Sequence, residues 1–320
     1  MDFSEYQVNE LGKPVLLPAF CITLFTNVVV NRDEVPEGLL KPYHKVLQDF
    51  KKEFHWASYD FDQKRPRAIT ETILSEPDRW LKSPGSREKD CAFIELYGGK
   101  SSRDLDFPFF YWDYRNHNQV DSHYSYYRLE LSLNWKNNLF AEDVDEYIYQ
   151  LVTDYPLVCG YAGYTVSGDQ KEIITRGDLK QYIYQWHRRH PGIMNIHPLS
   201  ESKTIAKENV LFAIGWITLL GEALCNQLGG VEALRNKLSH IPEVIVKSLP
   251  QNGALIRIGD NPQLGDTRKN DVLDSYQAVG KVLAPVAVKD FDLLAKKVVV
   301  SGFRDNKACA EWLGRFFQGK

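Results

Sequence analysis

Residues 211–285 read LFAIGWITLLGEALCNQLGGVEALRNKLSHIPEVIVKSLPQNGALIRIGDNPQLGDTRKNDVLDSYQAVGKVLAP. Trp216, Leu219, Leu220, Ala223, Leu224 and Leu228 recur at helical spacing. They predict a helix that stops at Gly229 and Gly230, where a left-handed φ costs least. A second short helix is expected over 231–238. Residues 244–249 then read as a strand. Pro250-Gln251-Asn252-Gly253 supplies a turn whose Asn-Gly pair suits positive φ, and 254–258 returns as the partner strand of a hairpin. The loop GDNPQLGD gathers the turn formers Gly259, Pro262 and Gly265 with Asp260 and Asp266, acids that read as cap and turn residues rather than ligands. A helix over 272–283 ends near Pro285.

Working outward, the first third predicts a strand over 16–30, a turn over 31–38, an amphipathic helix over 39–54 and a short strand over 56–61. Val46, Leu47, Phe50 and Phe54 share the apolar face of that helix. A helical segment closes at 78–82, and the Pro/Gly/Ser-containing, charged run 83–90 reads as a connector. A strand is expected at 91–97. Another over 124–135 places Tyr127, Leu129, Leu131 and Leu133 on one side and Arg128, Glu130, Ser132 and Asn134 on the other. The helix over 141–154 carries Glu142, Asp143 and Asp145 in its first turns, where the helix dipole favours negative charge. Its apolar face is Val144, Tyr147, Ile148 and Leu151. A strand over 157–166 follows, in which Gly160 and Gly163 let another backbone approach.

This order implies an α+β fold, with a mixed, largely antiparallel sheet flanked by helices. Strand, helix and strand recur at 16–61, at 124–166 and again from 254, so two related subdomains are one arrangement to test. The expected segments are 1–86, a core over 87–285, and a tail of strand and helix over 286–320, which together can form one compact unit.

A chain of 320 residues with 43% hydrophobic content has ample material for a well-buried core. Thirty-nine basic against forty-two acidic side chains leave a net charge of -3. That balance offers no general attraction for nucleic acid and disfavours a nucleic-acid enzyme. The five cysteines (Cys21, Cys91, Cys159, Cys225 and Cys309) are odd in number and lack CxxC spacing, so a reducing compartment fits better than a disulfide framework. The opening residues lack a basic and apolar leader, and the apolar run 15–30, interrupted by Pro18, Thr23, Thr26 and Asn27, is shorter than the ~20 residues of a membrane span. A cytoplasmic protein without membrane contact is expected.

No constellation of catalytic residues emerges. Gly98-Gly99-Lys100-Ser101 resembles the end of a phosphate loop, yet Ile94 stands where the motif needs glycine, and no helix opens after it. His187, His190 and His197 form the densest histidine group, without an HExxH motif and with Pro191 breaking the helix. No metal or cofactor is expected. Asp143 and Glu146 lie where helix capping explains them.

The most unusual composition is DLDFPFFYWDYRNHNQVDSHYSYY, residues 104–127. One reading buries its aromatics in a hairpin core. The other makes it a protein-binding surface through Asp104, Asp106, Trp112, Asp113, Tyr114 and Asp121, because aromatics supply contact area and acids complement a basic partner. A cleft that holds phosphates is basic, and an acidic aromatic patch would mimic the ligand of such a cleft.

Four landmarks in fixed order carry a family resemblance: CGYAGY (159–164), HPGIMNI (190–196), GWITLLGEALCNQLGG (215–230) and GALIRIGDNPQLGD (253–266). Over residues 91–285 the chain resembles the type VI immunity family associated with VRR-Nuc effectors. The first ninety residues and the tail show no landmark. The resemblance implies a protein that binds and silences a cognate toxin delivered by a type VI secretion system, with no catalytic residues of its own. Combined with a cytoplasmic location, it makes a nuclease the expected toxin. The rival readings are a hydrolase or nucleotide-processing enzyme assembled around His187 and His190, and a structural adaptor of the secretion machinery. Oligomeric state is open.

Overall fold

A computed structural model describes residues 7–10, 13–28, 38–59, 65–82, 91–101, 106–117, 122–134, 143–168, 173, 175–194, 205, 208–297, 303 and 305–318. Its strands are β1 (Val8–Glu10), β2 (Lys13–Thr26), β3 (Trp56–Ser58), β4 (Arg67–Ala68), β5 (Cys91–Tyr97), β6 (Phe109–His117), β7 (Ser122–Leu131), β8 (Cys159–Gly168), β9 (Ile217–Leu220), β10 (Val244–Ser248) and β11 (Ala254–Ile258). The helices are α1 (Lys41–Phe50), α2 (Glu71–Leu74), α3 (Glu76–Lys82), α4 (Val144–Val152), α5 (Gly177–Arg189), α6 (Glu222–Gln227), α7 (Gly230–Leu238), α8 (Asp274–Leu283), α9 (Phe291–Lys297) and α10 (Asn306–Leu313). All eleven strands join one sheet in the order β10-β11-β9-β8-β2-β7-β6-β5-β3-β4, with β1 added on β2. Every ladder between these strands is antiparallel. The expected α+β class with a largely antiparallel sheet is what the chain adopts.

β2, from the first segment, lies between β7 and β8 of the second, and β3 pairs with β5. Strands of the segments 1–86 and 87–285 therefore interleave in one sheet. The recurring strand-helix-strand order does not repeat an arrangement. β2 and β3 are separated by β7, β6 and β5, whereas β7 and β8 directly flank β2.

The helix predicted from Trp216 is the main correction to the local assignments. Residues 217–220 are the interior strand β9, and the helix begins only at Glu222. All four residues of β9 are buried, because β8 and β11 flank the strand and both faces are covered. A short apolar run buried on every side has no period that separates strand from helix. Gly221 marks the switch, since a Cβ there would lie 1.8 Å from the Leu157 carbonyl oxygen.

The hairpin β10–β11 forms as expected, with Val244 opposite Ile258 and Ser248 opposite Ala254. Its positive φ values fall on Gln251 (57°) and Asn252 (59°) rather than on Gly253. The strand expected in the tail falls outside the described residues, and α9 and α10 are the helices there. At the start of α4, the Asp143 side chain accepts the Asp145 N–H at 3.0 Å, the predicted cap. Asp145 itself is buried and pairs with Lys247 at 2.7 Å and Arg257 at 3.4 Å, tying the helix to the edge hairpin.

Both sheet edges are guarded. β4 is only two residues long and exposed. On β10, Arg235 of α7 donates Nε–H to the Val246 carbonyl at 3.1 Å, occupying an acceptor that another strand would otherwise use, and Nη2–H to Ser248 Oγ at 3.3 Å.

Candidate partner-binding site

The hairpin β6–β7 pairs Phe109 with Glu130, Tyr111 with Arg128 and Asp113 with Tyr126. Its two-residue period sends Phe110, Trp112 and Tyr114 to one face and Phe109, Tyr111 and Asp113 to the other. The first face is core. Trp80 of α3 meets Trp112 edge-on at 6.1 Å and Tyr114 at 5.0 Å, and Tyr43 of α1 meets Phe110 at 5.8 Å. Trp112 Nε1 donates to Ser125 Oγ at 2.9 Å, and the Tyr127 hydroxyl donates to the Leu39 carbonyl. Trp112 and Tyr114, each 1% exposed, therefore belong to the interior and not to a contact surface. Sequence composition drew them into the candidate patch; the pleat separates them from it.

On the opposite face, register places Phe93, Glu95 and Tyr97 of β5 beside Asp113, Tyr111 and Phe109 of β6, with Ser58 and Trp56 of β3 next in line. Trp56, Ser58, Phe93, Glu95, Tyr97 and Tyr111 are all half-buried. Phe109 and Asp113 are buried among them, Asp113 at 7% exposure. Tyr97 stacks on Phe109 at 6.1 Å, and Trp56 Nε1 donates to the Gly99 carbonyl at 3.1 Å. Asp106 is exposed just before β6, its carboxylate accepting the Phe107 N–H at 2.9 Å. Asp104 and Asp121 lie outside the described residues. Glu95 and Tyr97 were legible only as strand residues, although the alternation in CAFIELY already separates Phe93, Glu95 and Tyr97 from Ala92, Ile94 and Leu96.

Next to this face lies a buried charged cluster. Arg128 Nε bonds Glu130 Oε1 at 2.5 Å, Nη1 donates to Thr23 Oγ1 at 3.2 Å, and Nη2 donates to Thr165 Oγ1 at 2.9 Å. Both charged side chains are fully buried, and Glu130 Oε2 has no hydrogen-bond partner among the described groups. The Tyr111 hydroxyl is held well above the usual phenol range by burial, reinforced by the Glu130 and Glu95 carboxylates and opposed by Arg128.

The four sequence landmarks converge on scaffold instead. Gly192 N–H donates to the Leu264 carbonyl at 2.8 Å, and a Cβ at Gly192 would lie 1.9 Å from the Gln263 oxygen. His190 Nδ1 lies 2.6 Å from the Gly265 carbonyl, and Arg189 pairs with Asp266 at 3.1 Å. Asp266 also caps the Arg268 N–H at 3.0 Å, the turn role expected of it. Met194 N–H donates to Tyr164 of CGYAGY at 2.7 Å, and Trp216 Nε1 donates to the Gly259 carbonyl at 3.0 Å.

His187 packs 4.5 Å from the Trp312 ring and stacks on Phe303. Burial, with Arg315 nearby, pushes its pKa down to about 3. His187 and His190 are both buried, so neither imidazole is presented to a substrate. Among the described residues, no three histidine, cysteine or acidic side chains gather as a metal site, and no helix is long and apolar enough to cross a membrane. His197 lies outside the described residues.

The family model described as type VI immunity for VRR-NUC, TsiV, matches residues 39–316. It extends past the landmarks at both ends, into the β-α segment before residue 91 and the helices after 285. A search of curated proteins finds no match. Among solved structures, the Pseudomonas aeruginosa T6SS protein PA0821 shares the fold with a TM-score of 0.75 at 16% identity, over 97% of this chain and 87% of that one. With the family pattern running through most of its sheet and helices, the chain belongs to the TsiV family, type VI immunity for VRR-Nuc.

Proposed function

We propose that this protein binds a cognate type VI effector carrying a VRR-Nuc domain and neutralises it by steric occlusion, with no chemistry of its own. The observation that carries the reading is the family match over residues 39–316. The effector is a nuclease acting on cytoplasmic nucleic acid, and the immunity protein meets it in that compartment. A tight complex of this kind buries about 1,600 Å², with a few aromatic and charged side chains dominating its energy.

The acids Asp104, Asp106 and Asp121 steer the encounter with a basic nuclease surface, so reversing them slows association and makes the residual binding less salt-sensitive. Association rates that stay unchanged across a salt series would remove these acids from the interface. The direct test of the function is expression of the neighbouring effector gene with and without this chain. Survival only in its presence is the expected result, and equal killing in both cultures would end the immunity reading for that pair.

A further inference from the structure

We infer that Asn252 is a spontaneous deamidation site in the folded chain, and that its conversion to a carboxylate loosens the turn between β10 and β11. The inference is independent of the immunity reading, since the chemistry needs only this chain and water.

The turn is built so that asparagine and glycine must be neighbours. Asn252 takes a φ of 59°, a left-handed value that asparagine tolerates better than most side chains. Gly253 has no room for a side chain, because a Cβ there would lie 2.7 Å from the Leu220 carbonyl oxygen of β9. These two requirements of the fold create the chain's single Asn-Gly pair. With no Cβ on the following residue, its backbone nitrogen is the least shielded nucleophile that an asparagine side chain can meet.

The reaction exchanges ammonia for water. The Gly253 nitrogen gives up its proton to solvent and attacks Asn252 Cγ. The new N–C bond closes a succinimide ring as the Cγ–Nδ2 bond breaks, and Nδ2 takes up a proton and leaves as ammonia. Water then adds to either ring carbonyl and reopens it. The product is aspartate or, with the backbone rerouted through the side chain, isoaspartate.

Three features leave this path open in the folded state. Asn252 and Glu222 are both exposed, and the hydrogen bond from Asn252 Nδ2 to Glu222 Oε1 at 3.0 Å is a surface contact that costs little to break. The Gly253 N–H donates to the Pro250 carbonyl at 3.3 Å, longer than the usual range, so the nucleophile is weakly held. Residues 250–253 also lie beyond the last strand pair, Ser248 with Ala254, so the side chain can swing without opening the β10–β11 ladder.

The product changes the turn. A carboxylate replaces the Nδ2 donor by an acceptor and sets it against the Glu222 carboxylate. Isoaspartate further lengthens the backbone inside the turn that Leu249 N–H closes on the Gly253 carbonyl at 2.9 Å.

The test follows the full chain, kept folded in mildly alkaline buffer, by peptide mass spectrometry. Position 252 should show the mass gain of an amide-to-acid change before any other asparagine, including the exposed Asn226, which precedes Gln227. Isoaspartyl methyltransferase should label the same peptide. Asn252→Gln should abolish the signal, because a longer side chain must close a larger and slower ring, and Glu222→Ala should speed conversion of Asn252 by releasing Nδ2. Conversion at 252 in the urea-unfolded chain but not in the folded one would overturn the site, as would a folded-state rate no faster than that of Asn226. For the effect on the turn, Asn252→Asp should raise hydrogen exchange at the Leu249 amide about fivefold or more. An unchanged exchange rate there would overturn the loosening.

Discussion

The two halves of the one sheet are built to different rules. β8, β9 and β11 are covered on both faces, as in ITLL of β9 and ALIRI of β11. From β3 to β6, one face packs under α1 and α3 while the other stays half open and carries tyrosine, tryptophan and carboxylates. The family landmarks concentrate in the first half, where glycines allow backbones to touch. The contrast separates strands buried on both faces from strands with one buried and one half-buried face. Arg128 and Glu130 sit at the seam, on the strand that joins the halves.

The seam should give the largest effect. Arg128→Met leaves Glu130 charged and alone in the interior and should cost about 3–5 kcal/mol in urea unfolding, while adding Glu130→Leu should recover most of that loss. If the double variant is no more stable than the single one, the pair is not an electrostatic unit. Within the covered half, Gly221→Ala forces a Cβ onto the Leu157 carbonyl and should cost about 3 kcal/mol. A fully tolerated alanine would show that this half is less tightly built than its contacts indicate.

His187 provides a pH signature of the covered interior. Its folded pKa of about 3 lies below the unfolded value of about 6.5, so the unfolded chain binds the extra proton between those limits. Stability should therefore fall on acidification through that window, by about 1.4 kcal/mol per pH unit from this residue. His187→Phe should flatten the slope, and an unchanged slope would mean the imidazole is reached by solvent.

Smaller effects are expected at the periphery. Arg235→Ala uncovers the Val246 carbonyl at the β10 edge and should change monomer stability by less than about 1 kcal/mol. Its clearer effect should be concentration-dependent self-association in sedimentation velocity, and a strictly monomeric variant at high concentration would show that the edge needs no guard. On the open half, Glu95→Gln should alter stability by less than about 0.5 kcal/mol. A larger loss there would make Glu95 a structural residue and erase the distinction between the halves.

The legibility of the chain follows the same division. Alternation in β5 and β7, the Asp143 cap and the β10–β11 hairpin were readable because period and turn chemistry are local. Strand β9 was not, since a buried run such as ITLL looks alike as helix or strand until its neighbours are known. The two faces of the 109–117 strand were not readable. The sequence singled out the acids and aromatics of 104–127 together, but Trp112 and Tyr114 face inward, and the neighbours of Tyr111 on the other face, Glu95, Tyr97 and Trp56, come from strands distant in sequence.

By itself the sequence determined the α+β class, most element positions and the family, through periodicity, capping and the order of its glycine and aromatic landmarks. Only the tertiary structure decided which face of β6 looks outward, that Arg128 reaches Thr165 across β2, and that 190–194 locks onto 259–266. A period of two divides a strand into two faces without naming the inner one. Burial is assigned by whatever packs against each face, and those helices lie far away along the chain.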